Sequence, residues 1–350
     1  MRESYVILEK IKADPYSATL EELTVLLKEN DEEFNGYLFK TADEVRREYV
    51  GDEVHIRALM EFSNYCRRDC KYCGLRRSNR KLRRYRMKPE EIVQRARMAA
   101  EMGARTIVLQ SGEDLTFTAE TIADMIKEIK KFDVAVTLSL GERDYREYKL
   151  WKDSGADRYL MRHETANPEL YKKLHPDSRF EERLKCLKIL RELGYEVGAG
   201  SMVGLPGQTV RDMAMDLIFT RDMDCDMVGI GPFIPHPDTP LAHEKPGDFI
   251  MCLKMVALTR ILIPDSNIPA TTAMGTIKPG GREITLQCGA NVIMPNLTPT
   301  PYRALYQLYP GKICVFESDV RCLPCVKMMI ERLNRKVGTT YGNRVKKKAA

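Results

Sequence analysis

Val54-His-Ile-Arg-Ala-Leu-Met-Glu-Phe62, followed directly by Cys66-Arg-Arg-Asp-Cys70-Lys-Tyr-Cys73, is the stretch from which the fold is read. The first part is a short apolar run that reads as a strand. From here on, such runs alternate with longer helical patterns. Further strands are expected at Thr106–Gln110, Ala135–Leu140, Arg158–Arg162, Glu196–Val203, Met227–Ile230, Ile268–Thr272 and Asn291–Met294. Helical patterns lie between them, among them Pro89–Glu101, Ala119–Lys131, Arg143–Ser154, Phe180–Leu193, Val210–Met223, Asp248–Leu262 and Gly280–Cys288. Several end at a glycine, namely Gly103, Gly155 or Gly194, as helices do. Strand, helix and strand repeating about every 30 residues imply right-handed parallel crossovers, and eight strands imply closure. The expectation is an α/β protein, a single (β/α)₈ TIM-type barrel over residues 51–310. It has an N-terminal helical extension (1–50, with helices at Leu20–Lys28 and Glu32–Tyr49) and a short C-terminal extension (311–350). In such a barrel, chemistry belongs just after the strands, at their C-terminal ends.

Composition narrows the class. Apolar residues at 43% and charged residues at 30% are ordinary globular values, and no run approaches the 18 apolar residues of a membrane helix. Charges interrupt the first thirty residues, so no secretion signal is read there and a cytoplasmic location is expected. Ten irregularly spaced cysteines then read as reduced thiols, some of them ligands. A net charge of +6, from 56 basic and 50 acidic residues, is weak ground for a nucleic-acid partner, and none is expected. Between Arg67 and Lys88 the cations cluster, with Asp69 the only acid among them. Solvated surface charge and a docking face for an acidic ferredoxin or flavodoxin are both open readings. Arg335–Ala350 is polar and basic, with Gly338 and Gly342, and is expected to be a frayed tail.

Cys66, Cys70 and Cys73 form a C-x₃-C-x₂-C loop. Three soft thiolates within eight residues can converge on one centre, zinc or iron–sulfur. Structural zinc needs a fourth ligand, yet the nearest histidine, His55, lies upstream on the strand and the next cysteine is Cys186. On a [4Fe–4S] cluster, three protein ligands leave one iron open, which S-adenosylmethionine can chelate through its amino and carboxylate groups.

With aromatic Tyr72 before the last cysteine, the loop resembles the signature of the radical SAM superfamily. Further motifs follow the later strands: Leu109-Gln-Ser-Gly-Glu-Asp114, Arg162-His-Glu-Thr-Ala-Asn-Pro168 and Gly198-Ala-Gly-Ser-Met-Val-Gly-Leu-Pro-Gly-Gln-Thr209. Then come Gly229-Ile-Gly-Pro-Phe-Ile-Pro-His-Pro-Asp-Thr-Pro240 and Asn267-Ile-Pro-Ala-Thr-Thr-Ala-Met-Gly275. Together, over about residues 50 to 326, they resemble the HydE family of [FeFe]-hydrogenase maturases, relatives of biotin synthase and methylornithine synthase.

The resemblance implies a [4Fe–4S] cluster and S-adenosylmethionine as cofactors. The turn Ser111-Gly112-Glu113 would meet the cofactor's amino group, by backbone oxygen or the acid. Ser139 and Glu164 would face its ribose and methionine parts, Arg183 its carboxylate, and Met202 its adenine, with Gly204 and Gly207 allowing close approach. Arg162, His163, Thr271, Thr272 and Tyr302 would line a cavity for a small polar substrate. His236, between prolines beside Asp238, reads better as a turn stabiliser than as an acid–base group. Cys314, Cys322 and Cys325, in C-x₇-C-x₂-C spacing, would hold an accessory cluster, [2Fe–2S] or [4Fe–4S], or remain free thiols. Cys186, Cys225, Cys252 and Cys288 read as small buried hydrophobes. The implied role is assembly of the hydrogenase diiron site on an organometallic substrate, a cysteine-bound iron carbonyl cyanide unit, received from HydG with product passed to HydF. Two other functions remain open at this point: a radical SAM mutase or sulfur-inserting enzyme on an amino acid or biotin-like substrate, and an iron–sulfur carrier without radical turnover.

Overall fold

In the computed structural model, residues 2–316 and 319–346 are described, the side chains of 319–322 excepted. Three helices come first. Of these the sequence reading indicates α2 (Leu20–Lys28) and α3 (Glu32–Val50) but not α1 (Glu3–Ala13), whose buried side is Ser4, Ile7, Leu8 and Ile11. Thr19 and Glu22 close a capping box at the start of α2, each satisfying a free N–H of the first turn. The three helices pack on one another and on later barrel helices.

The chain then alternates: β1 (Glu53–Ser63), α4 (Pro89–Glu101), β2 (Thr106–Ser111), α5 (Ala119–Lys130), β3 (Ala135–Ser139), α6 (Tyr145–Asp153) and β4 (Arg158–Leu160). After α7 (Pro168–Leu174) and α8 (Phe180–Glu192) come β5 (Glu196–Ala199), β6 (Met202–Val203), α9 (Val210–Asp222), β7 (Met227–Val228), β8 (Gly231–Pro232) and α10 (Phe249–Leu262). The last elements are α11 (Thr272–Ile277), α12 (Gly281–Leu286), β9 (Val292–Ile293), α13 (Thr300–Arg303), α14 (Asp319–Arg332) and β10 (Lys336–Val337). β1 to β5 and then β7 pair in parallel. Met227 bridges to Asn267, Pro269 bridges to Val292, and β9 pairs with His55 and Ile56 of β1, so the ring closes.

All eight expected strands therefore stand in the wall, the seventh only as bridging residues around 267–270. The expected strand Glu196–Val203 is split. Gly200 turns with φ +151°, and a Cβ there would lie 2.0 Å from Gly229 O, so only glycine lets the two backbones approach. Beyond this break, β6 pairs with β8. No helix among the described residues is long and apolar enough to cross a membrane.

Up to residue 346 the tail is not frayed, and residues 347–350 lie outside the described residues. β10 pairs with the start of β1, and residues 338–346 run across the N-terminal end of the barrel. The reason is a floor of polar groups that need partners. Arg57 Nη2 and Asn267 Nδ2 each donate to Gly342 O at 3.1 Å, and Arg158 Nη2 donates to Tyr341 O at 2.7 Å. Gly338 and Gly342 are required because a Cβ on either would strike the His55 ring, at 2.4 and 2.6 Å.

Burial, reinforced by Arg57, Arg158 and Arg335, pushes His55 down to about 4. Burial likewise pushes His163 and His175 down to about 3. The unfolded chain takes up these protons near pH 6.5 and the folded one does not, so stability falls as the pH drops below about 6.5. For His55 the loss is complete near pH 4. Urea midpoints across this range are expected to fall less steeply in His55→Gln than in the parent; equal slopes would remove His55 from the account.

Candidate active site

The cysteine loop leaves the top of β1 and is fastened on both flanks. Gly112 N donates to Ser63 O at 2.9 Å, and a Cβ on Gly112 would lie 2.1 Å from Tyr65 O, so the turn after β2 abuts the loop. Arg67 N donates to Glu113 O (3.0 Å), Lys71 N to Leu174 O (2.9 Å) and Gly74 N to Leu308 O (3.0 Å). Inside the loop, Asp69 takes Arg76 through two bonds, 2.9 and 2.7 Å, and Ser78 Oγ at 2.7 Å, which hold its carboxyl well below the usual range. Arg84 donates to the carbonyls of Leu75, Arg76 and Asn79 at 2.9, 2.7 and 3.2 Å.

Much of the basic stretch is paired within the fold. Arg67 and Arg68 pair with Glu113, Arg68 also with Glu142, Arg76 with Asp69, Lys81 with Asp238 and Arg86 with Asp114. Most of these cations brace the loop, although Lys81 stays largely exposed. Arg80 and Arg83 remain exposed without a side-chain partner among the described residues.

Cys66, Cys70 and Cys73 are reduced and half-buried. Burial pushes all three thiols up, Cys73 to about 12, and Cys70 and Cys73 are raised further by neighbouring thiols, as expected of thiols gathered at one point. Among the described residues no three Cys, His, Asp or Glu side chains are arranged around a single metal ion. A four-iron cube, whose protein ligands sit on three separate irons, does not require that convergence.

Tyr72, Glu164 and Arg183 lie within electrostatic reach of Cys70. The Tyr72 hydroxyl meets His175 Nε2 at 2.8 Å, and its ring packs against the Met202, Leu170 and Leu174 cluster. Glu164 is held at φ +66°, and its buried Oε2 has no hydrogen bond, although Arg162 Nη2 is 3.4 Å away. Arg183 spends Nε on Glu142 (2.7 Å) and Nη1 on Arg162 O (2.6 Å), leaving Nη2 without a hydrogen bond among the described residues. Ser139 ends β3 opposite Gln110 of β2, and the Ser111 hydroxyl turns back onto Gly112 O at 2.6 Å. The Glu113 carboxylate is already taken by Arg67, Arg68 and the Glu142 N–H, so this turn offers a ligand its backbone rather than its acid. Three thiols with an orphaned buried carboxylate oxygen beside them fit a cluster and a cofactor bearing N–H or O–H donors.

Of the expected substrate residues, Thr271 and Thr272 stand at the start of α11, with Thr271 Oγ1 donating to Ile230 O at 3.1 Å. Arg162 lies beside Glu164, its Nε buried and unpaired. His163 and Tyr302 are corrections. His163 is fully buried on the outer side of the wall, 3.3 Å from Asp216 and against Phe219 of α9. Tyr302 stacks on Tyr85 at 4.8 Å with its hydroxyl 3.4 Å from Glu91 of α4, again away from the barrel axis. His236 does serve its turn, since Nδ1 accepts from Asp238 N at 3.1 Å.

Sequence reasoning missed a polar set inside the barrel. Glu61 of β1 is 1% exposed, pairs with Lys312 and accepts from Asn296 Nδ2 at 2.6 Å. Gln110 Nε2 donates to the buried Tyr306 hydroxyl at 3.3 Å. An acid in mid-strand was the one available signal; Lys312 and Tyr306 gave none. In the second cysteine group, Cys314 sits at φ +60° with Arg282 Nη2 4.0 Å from its sulfur, and Cys325 is exposed on α14. The Cys322 side chain lies outside the described residues.

A closed (β/α)₈ barrel with a three-thiol loop after its first strand is the architecture of a radical SAM enzyme. The radical SAM superfamily model matches residues 60–219. The chain is 68% identical, over 97% of both chains, to the [FeFe] hydrogenase maturase subunit HydE of Thermotoga maritima. It is 28% identical to the 3-methylornithine synthase of Methanosarcina acetivorans over 78% of each. Among solved structures, methylornithine synthase superposes with a TM-score of 0.83 at 25% identity, covering 95% of this chain and 97% of that one. The chain belongs to the HydE family.

Proposed function

We propose that this protein cleaves S-adenosylmethionine reductively and uses the radical on a small or organometallic substrate during assembly of the [FeFe]-hydrogenase diiron site. The observation that carries this reading is the 68% identity to a HydE maturase along nearly the entire chain. Cys66, Cys70 and Cys73 would hold the [4Fe–4S] cluster. Bound together, the cluster and cofactor supply one-electron cleavage of the sulfonium C–S bond, giving methionine and a 5′-deoxyadenosyl radical.

The chain's own residues bind and orient. Gly112 lets the backbone after β2 come close, and Glu164 Oε2 is an acceptor already stripped of water, suited to a ribose or ammonium donor. Arg183 Nη2, fixed by its two other bonds, suits a carboxylate. Below them, Glu61, Gln110, Tyr306 and Lys312 make the inner wall polar while keeping it closed to bulk water.

HydG and HydF are the proposed working partners, with a ferredoxin- or flavodoxin-type electron donor, in the cytoplasm. Exposed Arg80 and Arg83 next to the cysteine loop support a donor of acidic surface, whose reduction rate should fall with salt. Cys314 and Cys325, with Cys322, are the proposed ligands of an accessory cluster. The function is tested by incubating the anaerobically reconstituted, reduced protein with S-adenosylmethionine and measuring 5′-deoxyadenosine. Absence of cleavage from a protein carrying its cluster would overturn the reading.

A further inference from the structure

A left-handed backbone is unfavourable for any residue with a Cβ, yet Glu164 adopts one, at φ +66°. Two backbone bonds hold it from the next strand: Glu164 N donates to Gly200 O at 3.0 Å, and Met202 N donates to Glu164 O at 2.9 Å. The residues on either side of Glu164 are anchored elsewhere, behind the barrel wall. His163 Nδ1 accepts from Gly200 N at 3.3 Å, which puts its proton on Nε2, and Nε2 faces Asp216 Oδ1 at 3.3 Å. Ala166 N donates to the same oxygen of Asp216.

The other oxygen of Asp216 leads to the second turn. Gln208 Nε2 lies 3.4 Å from Asp216 Oδ2 and donates to Met202 O at 2.9 Å. Gln208 Oε1 accepts from Gly204 N at 2.8 Å and Leu205 N at 3.2 Å. Asp216 is 1% exposed and His163 is not exposed at all, so neither can touch a ligand in the barrel. A carboxyl group removed from water, with hydrogen bonds from Ala166 N and Gln208 Nε2 and His163 Nε2 facing it without one, is a costly arrangement to keep for packing alone.

We propose that Asp216, acting through His163 and Gln208, is a positioning residue that fixes the Glu164 turn and the Met202–Gly207 turn relative to each other, and so sets the affinity for S-adenosylmethionine. This rests on the reading of those two turns as cofactor contacts.

The test titrates the reconstituted, reduced protein with S-adenosylmethionine and follows the change in the cluster's electron paramagnetic resonance spectrum. Asp216→Ala is expected to weaken binding about 10-fold, the size of effect of losing its buried hydrogen bonds. Iron content and the spectrum without S-adenosylmethionine should stay as in the parent. Asp216→Asn, which keeps an acceptor for Ala166 N, should return to within about 3-fold of the parent. Should Asp216→Ala not fold, Gln208→Ala decides, because it spares the buried pair and removes only the arm to the second turn; binding about 3-fold weaker is expected. Parent-like affinity in a folded Asp216→Ala, or in Gln208→Ala where that variant decides, overturns the proposal. Glu164→Gln separates the two levels. Weak binding there with parent-like binding in Asp216→Ala removes the clamp and keeps the site; parent-like binding in both removes the site.

Discussion

Cys66→Ser, Cys70→Ser and Cys73→Ser each lower the iron content by about four per chain, and lower 5′-deoxyadenosine formation by more than ~100-fold, beyond the effect of losing an outer-shell partner. Serine offers a hard oxygen whose proton is far more tightly held than that of a thiol, and a cluster iron selects soft sulfur. Cys186, the next cysteine along the chain, cannot take over, since it is buried on α8 with its thiol turned to Arg143 O at 3.8 Å. His175 is committed as well, to the Tyr72 hydroxyl at 2.8 Å and Tyr171 O at 2.8 Å. The fold should survive the change. The loop is fastened by backbone bonds to Glu113, Leu174 and Leu308, none of which involves sulfur. Without iron the raised thiols are neutral, so a neutral hydroxyl replaces a neutral group. Iron and sulfide analysis beside circular dichroism checks this, and a serine variant that retains a full cluster would falsify the assignment of that cysteine.

Arg344→Ala is expected to cost about 3–5 kcal/mol of unfolding free energy, the range for breaking a buried ion pair from one side. The Arg344 side chain is 5% exposed and reaches Asp224 at 2.7 Å, Asp265 at 2.9 Å and Asp226 at 3.4 Å, joining the tail to the loops below β7 and α10. Its removal leaves Asp265, itself 10% exposed at the side chain, without its ion-pair partner. Burial alone would raise the Asp224 carboxyl, but Lys346 and Arg344 hold it below its usual value. That part of the stability is therefore present above the unfolded-state value and lost as the pH falls through the folded one. Lys346→Ala is the control. Its 54% exposed amine also pairs with Asp224, and an exposed pair contributes only ~0–1 kcal/mol. Equal urea midpoints for the two variants would show that the tail rests on the surface instead of completing the floor.

Much of this was legible from local pattern. Eight apolar runs at crossover spacing and a compact cysteine triplet each carry their information within a few neighbouring residues. Direction and long-range pairing are not written that way. Arg162, His163 and Glu164 are adjacent, yet His163 faces α9 while Glu164 stays near the thiols and Arg162 beside it, and nothing in the tripeptide tells the sides apart. Tyr302 and Tyr306 are both tyrosines after the last strand, and only Tyr306 turns inward, to Gln110. The basic stretch looked free because its acids, Glu113, Asp114 and Glu142, arrive from later strands. The tail looked soluble because the groups it satisfies are themselves polar, and composition cannot separate a polar segment in water from one seated on a polar floor.

The wall of the barrel is uneven in its stitching. The ladders from β1 to β3 and from β4 to β5 run over three to six residues and the β3–β4 ladder over two, whereas from β7 through residues 267–270 to β9 the seam is closed by isolated bridges. Local opening follows the weakest ladder, so backbone amides along this arc should trade their hydrogens for deuterium before those beside the thiols. The expected pattern is thus local opening on the thinly sewn arc and stillness in the half that carries the cysteine loop.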